Sequence, residues 1–287
     1  MDAKEIIKRV IKIELKTRGL TQNLFSGEYH SSFKGRGMIF SEVKPYVIGD
    51  DIRSMDWNKT AHFNEPFVKV FEEERELTML LMVDVSSSVN FGTKKQIKKE
   101  TMAEVAATLA FAAAQNNDKI GLILFSNQIE FYIPPKKGRK HAFRIIREIV
   151  EFQPKQSQTN LSVALDFALK ALKKSANVFL LSDFSDQNYQ KNLSIFSKRH
   201  KLVGVRIFDQ KEVDLPDVGW IHCIDKETQK QVFVNTSSQK NRDLYREQNK
   251  NSLRYFEQAF RASSASSLSL RCDLPYTKAL LNHFKKA

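Results

Sequence analysis

The stretch Leu77-Thr-Met-Leu-Leu-Met-Val-Asp-Val-Ser-Ser-Ser-Val89 decides the fold. Its first seven residues are too uniformly apolar for a half-exposed strand and too short for a membrane span, so they read as a strand buried on both faces. Such strands belong to parallel sheets covered by helices, where ligands bind beyond the carboxyl ends of the strands. Asp84, Ser86 and Ser88 fall at that end, one carboxylate and two hydroxyls at alternate positions. An all-oxygen set of this kind suits a hard divalent cation that keeps part of its water.

Downstream, strand and helix patterns alternate, which predicts a mainly parallel α/β sheet with helices on both faces. Strands are expected at 77–85, 177–181 and 202–208. Residues 120–125 and 129–133, split by Ser126-Asn127-Gln128, read as a hairpin. Helices are expected over about 95–116, 139–151, 160–174 and 188–199; in the first, Ala103, Ala106, Ala107 and Ala110 would allow close packing on the sheet. Beyond Asp209 the pattern predicts two short strands within 220–234, a charged helix over 239–261, a strand at 268–271 and a last helix at 276–286. Upstream, an amphipathic helix is expected over 4–18. It is followed by a mostly extended segment, 27–76, punctuated by Gly27, Gly35, Gly37, Pro45, Gly49 and Pro66. The reading is thus two parts: residues 1–76, a helix and a β-rich segment, and 77–287, the α/β domain with a C-terminal extension.

Composition narrows the function. A hydrophobic fraction of 41% with only 10 Gly and 7 Pro describes a folded chain, not a disordered one. No uncharged apolar run reaches bilayer length, the N-terminus lacks the apolar core of a signal peptide, and Cys223 and Cys272 have no paired spacing. A cytoplasmic protein is the resulting expectation. The net charge of +13 favours acidic partners. Its clusters, Lys94–Lys99, Lys136–Lys140 and Lys285-Lys286, are not interleaved with aromatics as on an RNA-binding sheet. They read as a solvated basic face, which argues against nucleic-acid binding.

Two further oxygen ligands extend the first three. Thr159 lies just before a predicted helix and Asp183 ends the strand Leu180-Leu-Ser-Asp183. Asp84, Ser86, Ser88, Thr159 and Asp183, in this order, resemble the metal-ion-dependent adhesion site (MIDAS) of von Willebrand factor A domains. The resemblance implies a von Willebrand factor A-like, Rossmann-like sheet and a divalent cation, Mg²⁺ first and Mn²⁺ or Ca²⁺ next. It also implies that a partner protein supplies an Asp or Glu carboxylate to the metal.

A second resemblance lies upstream. Gly27 to Glu42, then Pro45-Tyr-Val-Ile-Gly-Asp-Asp-Ile-Arg-Ser-Met-Asp-Trp57, then Ala61 and Pro66 to Lys69, resemble the bacterial family DUF 58, in which this segment precedes an A-type domain. The sequence departs at Lys44 and His62, where the pattern usually has Arg. The family resemblance implies an adaptor or assembly factor working with a MoxR-type AAA+ ATPase. Read from the residues, Asp50, Asp51, Arg53, Asp56 and Trp57 are more architecture than chemistry: a turn, an arginine able to gather carboxylates, and an apolar anchor.

Catalysis finds little support. The chain has no phosphate loop, nucleophile elbow or zinc helix. Phosphoryl transfer of the Asp-x-Asp kind would need a carboxylate where Ser86 stands. His30, His62, His141, His200, His222 and His283 are scattered and read as surface or loop residues. A metal-dependent hydrolase of phosphate esters is the alternative reading, and a basic nucleic-acid-binding protein the third.

Overall fold

A computed structural model describes residues 38–73, 77–90, 98–224 and 231–286. The expected helix at 4–18, the start of the extended segment, Lys94 to Ile97 and the 225–228 turn lie outside them. The chain divides into two compact units, Phe33–Leu77 and one containing Thr78–Ala287.

In the smaller unit β1 (Met38–Pro45) pairs antiparallel with β2 (Phe67–Glu73), with a register shift between Phe40 and Glu42. The segment joining them is not extended as expected. A 3-10 turn at Ile52–Ser54 leads into a short helix, α1 (Trp57–Phe63). Asp51 caps the turn by accepting from the Arg53 N–H, and Asp56 caps α1 by accepting from the N–H groups of Asn58 and Lys59. Asp50 accepts from Lys44 Nζ at 2.9 Å and from the Val47 N–H at 3.0 Å. Gly49, at φ +112°, supplies the left-handed residue of that turn. These carboxylates are therefore taken up by caps and by Lys44, and Arg53 does not gather them. Trp57, expected to be an anchor, is 67% exposed, and Ile48 and Ile52 are exposed with it.

The larger unit is built on a six-stranded sheet in the order β10-β7-β6-β3-β4-β5. Its strands are β3 (Thr78–Asp84), β4 (Lys119–Phe125), β5 (Ile129–Lys136), β6 (Asn177–Ser182), β7 (Lys201–Phe208) and β10 (Ser266–Arg271). All neighbours are parallel except β4 and β5, the predicted hairpin. Counted in chain order within this sheet, the strands run 3-2-1-4-5-6, the doubly wound order, with its third strand reversed. Every residue of β3 after Thr78 is buried, because helices cover both faces.

On one face Leu80, Met82, Ile123, Phe125, Val178 and Leu180 pack against α4 (Leu161–Ala171), α5 (Gln190–Ser197) and α7 (Gln239–Ala262). The other face carries α2 (Lys98–Gln115), whose alanines lie flat on β3, β4, β6 and β7. Beside α2 lies α3 (Arg139–Glu151), which buries Ala142, Ile145, Ile146 and Ile149, an i, i+3, i+4, i+7 stripe. The C-terminal helix α8 (Tyr276–Lys286) meets the same face through Phe284, whose ring is 6.0 Å from that of Phe179. The four-residue α6 (Gln210–Val213) follows β7. Separately, β8 (Trp220–Ile224) and β9 (Gln231–Asn235) form a two-stranded antiparallel sheet that leaves Trp220 and Phe233 exposed. Among the described residues, no helix is long and apolar enough to cross a membrane.

Candidate metal centre

The topology explains why two distant aspartates meet. The first and fourth strands of the unit, β3 and β6, are adjacent and parallel, and connections leave them in opposite directions, which opens a crevice at their carboxyl ends. Asp84 is the last residue of β3 and Asp183 directly follows β6.

Asp84 is 1% exposed and held at both oxygens. Its Oδ1 accepts from the Ser86 N–H at 2.9 Å and its Oδ2 from the Ser182 hydroxyl at 2.6 Å. The first bond turns the chain at the strand end and starts a 3-10 turn, Ser87–Asn90. In that turn the Ser88 hydroxyl lies 3.0 Å from the Ser86 hydroxyl. Burial, and next the charge of Asp183, push the Asp84 carboxyl up to about 7.

Asp183 is differently placed. Its Oδ1 accepts from the Ser185 N–H at 3.2 Å and hydroxyl at 2.8 Å, and its Oδ2 accepts from Lys98 Nζ at 2.9 Å. Burial, the largest influence, would raise this carboxyl, but the Lys98 ammonium and the hydroxyl donors together hold it below the usual range. The residue after it, Phe184, adopts φ +55°, a left-handed conformation costly for a bulky side chain. It is fixed there by burial against Phe256, 4.4 Å away, and Phe260. An observed outlier directly beside a candidate ligand marks the turn as tightly specified.

Lys98, the first residue of α2, is completely buried, contrary to the solvated basic face expected of its cluster. Its second partner is Glu212 on α6, at 2.6 Å. Glu212 also closes a capping box with Asp209, whose N–H it accepts at 3.0 Å. Burial would depress the ammonium, yet the two carboxylates keep it above its ordinary value.

Thr159 is half-buried on the loop before α4. That loop is tied to the same edge: the Ser87 N–H donates to the Ser157 carbonyl and the Asn160 N–H to the Ser126 carbonyl, both at 3.0 Å. Asn160 also caps α4 by accepting from the Val163 N–H. Thus Asp84, Ser86 and Ser88 form one bonded cluster, with Asp183 at the adjoining strand end and the Thr159 loop anchored to the same edge. Sequence reading missed Lys98, Glu212, Ser182 and Ser185. Of these only the two serines flanking Asp183 carried a local signal.

The donor set fits a hard divalent cation. Asp84 and Asp183 are both buried, the Ser86 and Ser88 hydroxyls lie beside Asp84, and a cation would offset both the burial and the Asp183 charge that raise Asp84. Among the described residues, no three His, Cys, Asp or Glu side chains gather around one point. A cation here would therefore lean on hydroxyls and water.

The larger unit thus has the von Willebrand factor A-like fold. A crystallised serine-substituted variant of an aerotolerance-related membrane protein from Bacteroides fragilis is similar across 74% of this chain and 100% of its own, at 11% identity and a TM-score of 0.51. A von Willebrand factor type A protein from Catenulispora acidiphila is similar across 77% of this chain and 43% of its own, at 11% identity and a TM-score of 0.41. Residues 42–254 match the family described as "Protein of unknown function DUF58", and the chain belongs to that family. The uncharacterized protein Rv1480 of Mycobacterium tuberculosis is 28% identical over 219 residues, 75% of this chain and 69% of that one.

Proposed function

We propose that this protein is a protein-interaction module whose binding depends on a divalent cation at the β3–β6 crevice. The observation that carries the reading is Asp84: a buried carboxylate set beside a second one, ringed by hydroxyls, at the switch point of the sheet. Ser86, Ser88 and Thr159 would hold the cation as neutral ligands, and Asp84 and Asp183 would orient its bound water. Bound there, the ion supplies a Lewis-acid position able to take a carboxylate from another protein. Mg²⁺ is the first candidate, Mn²⁺ and Ca²⁺ the next. The partner would be an Asp- or Glu-bearing protein.

The role as an assembly or activation factor beside a MoxR-type AAA+ ATPase rests on the family resemblance. A binding role rather than catalysis is supported by the chemistry of the cluster: Ser86 stands where an Asp-x-Asp phosphoryl-transfer site needs a carboxylate, and among the described residues the groups bonded to Asp84 and Asp183 are serines, backbone N–H groups and Lys98. The test is calorimetric titration of the whole chain with Mg²⁺ and Mn²⁺, beside Asp84→Asn. Saturable binding that disappears in the variant supports the reading; equal affinity in both proteins defeats it. Partner capture should follow the same pattern and should be released by chelator.

A further inference from the structure

Among the described residues of the basic clusters, Lys99, Lys136, Lys137, Arg139 and Lys140 reach water, but Lys98 does not. It lies at 0% exposure under the sheet edge, with its ammonium between Asp183 and Glu212. A lysine is buried this completely only when its charge is answered, since removing an ion from water costs several kcal/mol. Here the answer comes in part from one of the two carboxylates that would face the cation.

The two aspartates are therefore not equivalent. Among the described residues Asp84 has hydroxyl and N–H donors alone on its oxygens, whereas Asp183 has a full positive charge at 2.9 Å. Glu212 does not leave its place to suit: its other oxygen is engaged by the Asp209 N–H in the capping box of α6. The ammonium is thus pinned from behind and presented to Asp183. Arg206, also buried and lying over the Phe208 ring, adds positive potential from the next strand, near enough to feel Asp183 and Glu212.

From this geometry we infer that Lys98 is a built-in counter-ion that sets the affinity of the cluster for a divalent cation, competing for the negative charge of Asp183. The inference rests on the metal-dependent reading above and adds a governor to it. With Asp183 committed to an internal ammonium, a cation seated at Ser86 and Ser88 is incompletely neutralised and keeps more of its field for a ligand from outside. A cluster lacking the lysine would hold its metal more firmly.

The direction of the effect separates this role from a merely structural one. Loss of a packing residue or of a positioning bond loosens metal binding; loss of a competing charge tightens it. In titrations of the full chain with Mg²⁺ and Mn²⁺, Lys98→Met, close in volume and uncharged, should bind about tenfold more tightly or better. That is a conservative reading of unit charges interacting a few ångströms apart at partial burial. Glu212→Gln, which removes one negative charge that competes with Asp183 for the ammonium, should bind several-fold more weakly. Circular dichroism in chelator establishes that each variant is folded. Should Lys98→Met fail to fold, Glu212→Gln decides alone, and unchanged or tighter binding there overturns the inference. If the wild type binds and a folded Lys98→Met binds equally or more weakly, the counter-ion role is wrong while the metal centre stands. Silence of both wild type and Lys98→Met toward both metals removes the metal centre itself, and the governor with it. Binding by Lys98→Met alone supports the counter-ion role and shows that the lysine closes the wild-type cluster.

Discussion

His200, at the end of the turn that follows α5, is 2% exposed, and neither ring nitrogen has a hydrogen-bond partner among the described residues. It packs on Phe196 with ring centroids 4.6 Å apart. Burial, and then the charge of Arg199, lower its pKa from 6.5 to about 4. Between those values the unfolded chain binds more protons than the folded one, so stability is complete above pH 6.5 and falls as pH drops toward 4. The loss from this one group is at most roughly 3 kcal/mol. Thermal melts of His200→Phe across that range should show a shallower decline than wild type; parallel curves would mean the ring is already charged when folded. From sequence His200 reads as a surface or loop residue, and nothing local contradicts that. Lys98 teaches the same lesson. It sits inside a run of lysines, and the carboxylates that bury it lie 85 and 114 positions away. By contrast the five candidate ligands are legible because each stands at the end of an apolar run or at a helix start, where backbone geometry already fixes its place.

The contact between β7 and α7 depends on one missing methyl group. A Cβ on Gly204 would stand 2.3 Å from Cζ and 2.4 Å from Cε1 of Phe260, itself fully buried. The ring cannot withdraw, since Phe184 and Phe256 pack against it. Gly204→Ala should cost about 1–3 kcal/mol in urea unfolding. Combined with Phe260→Leu, the cost should be clearly less than the sum of the two single changes; strict additivity would deny the contact. The sheet and its major helices are readable because unbroken apolar runs and the 3.6-residue stripe of α3 leave few alternatives. The helix α1 is not. Trp57-Asn-Lys-Thr-Ala-His-Phe63 has no apolar stripe, and it depends on the Asp56 cap and on the Thr60 hydroxyl that accepts the Phe67 N–H. Nor does the sequence announce α6, four residues closed by a capping box with no core face of its own.

The order of the six strands does what no local motif could: it carries Asp84 and Asp183, 99 positions apart in the chain, to adjoining strand ends. The smaller unit has a different character. The run Gly49 to Trp57 spends its carboxylates on caps and a turn and leaves Ile52 and Trp57 in water. That inversion is hidden in the sequence, because an exposed tryptophan and a buried one look alike there.

The chain's two tryptophans have a practical consequence. Trp57 is 67% exposed and Trp220 is 70% exposed, one in each unit. Native emission should therefore resemble that of indole in water, be quenched readily by acrylamide, and shift little on unfolding; a blue-shifted, protected spectrum would contradict the exposure of both rings. Trp57→Phe and Trp220→Phe would each leave a single lamp, on the α/β unit or on the smaller unit respectively. Whichever lamp dims when an acidic partner arrives reports, without any added label, which half of the protein it has reached.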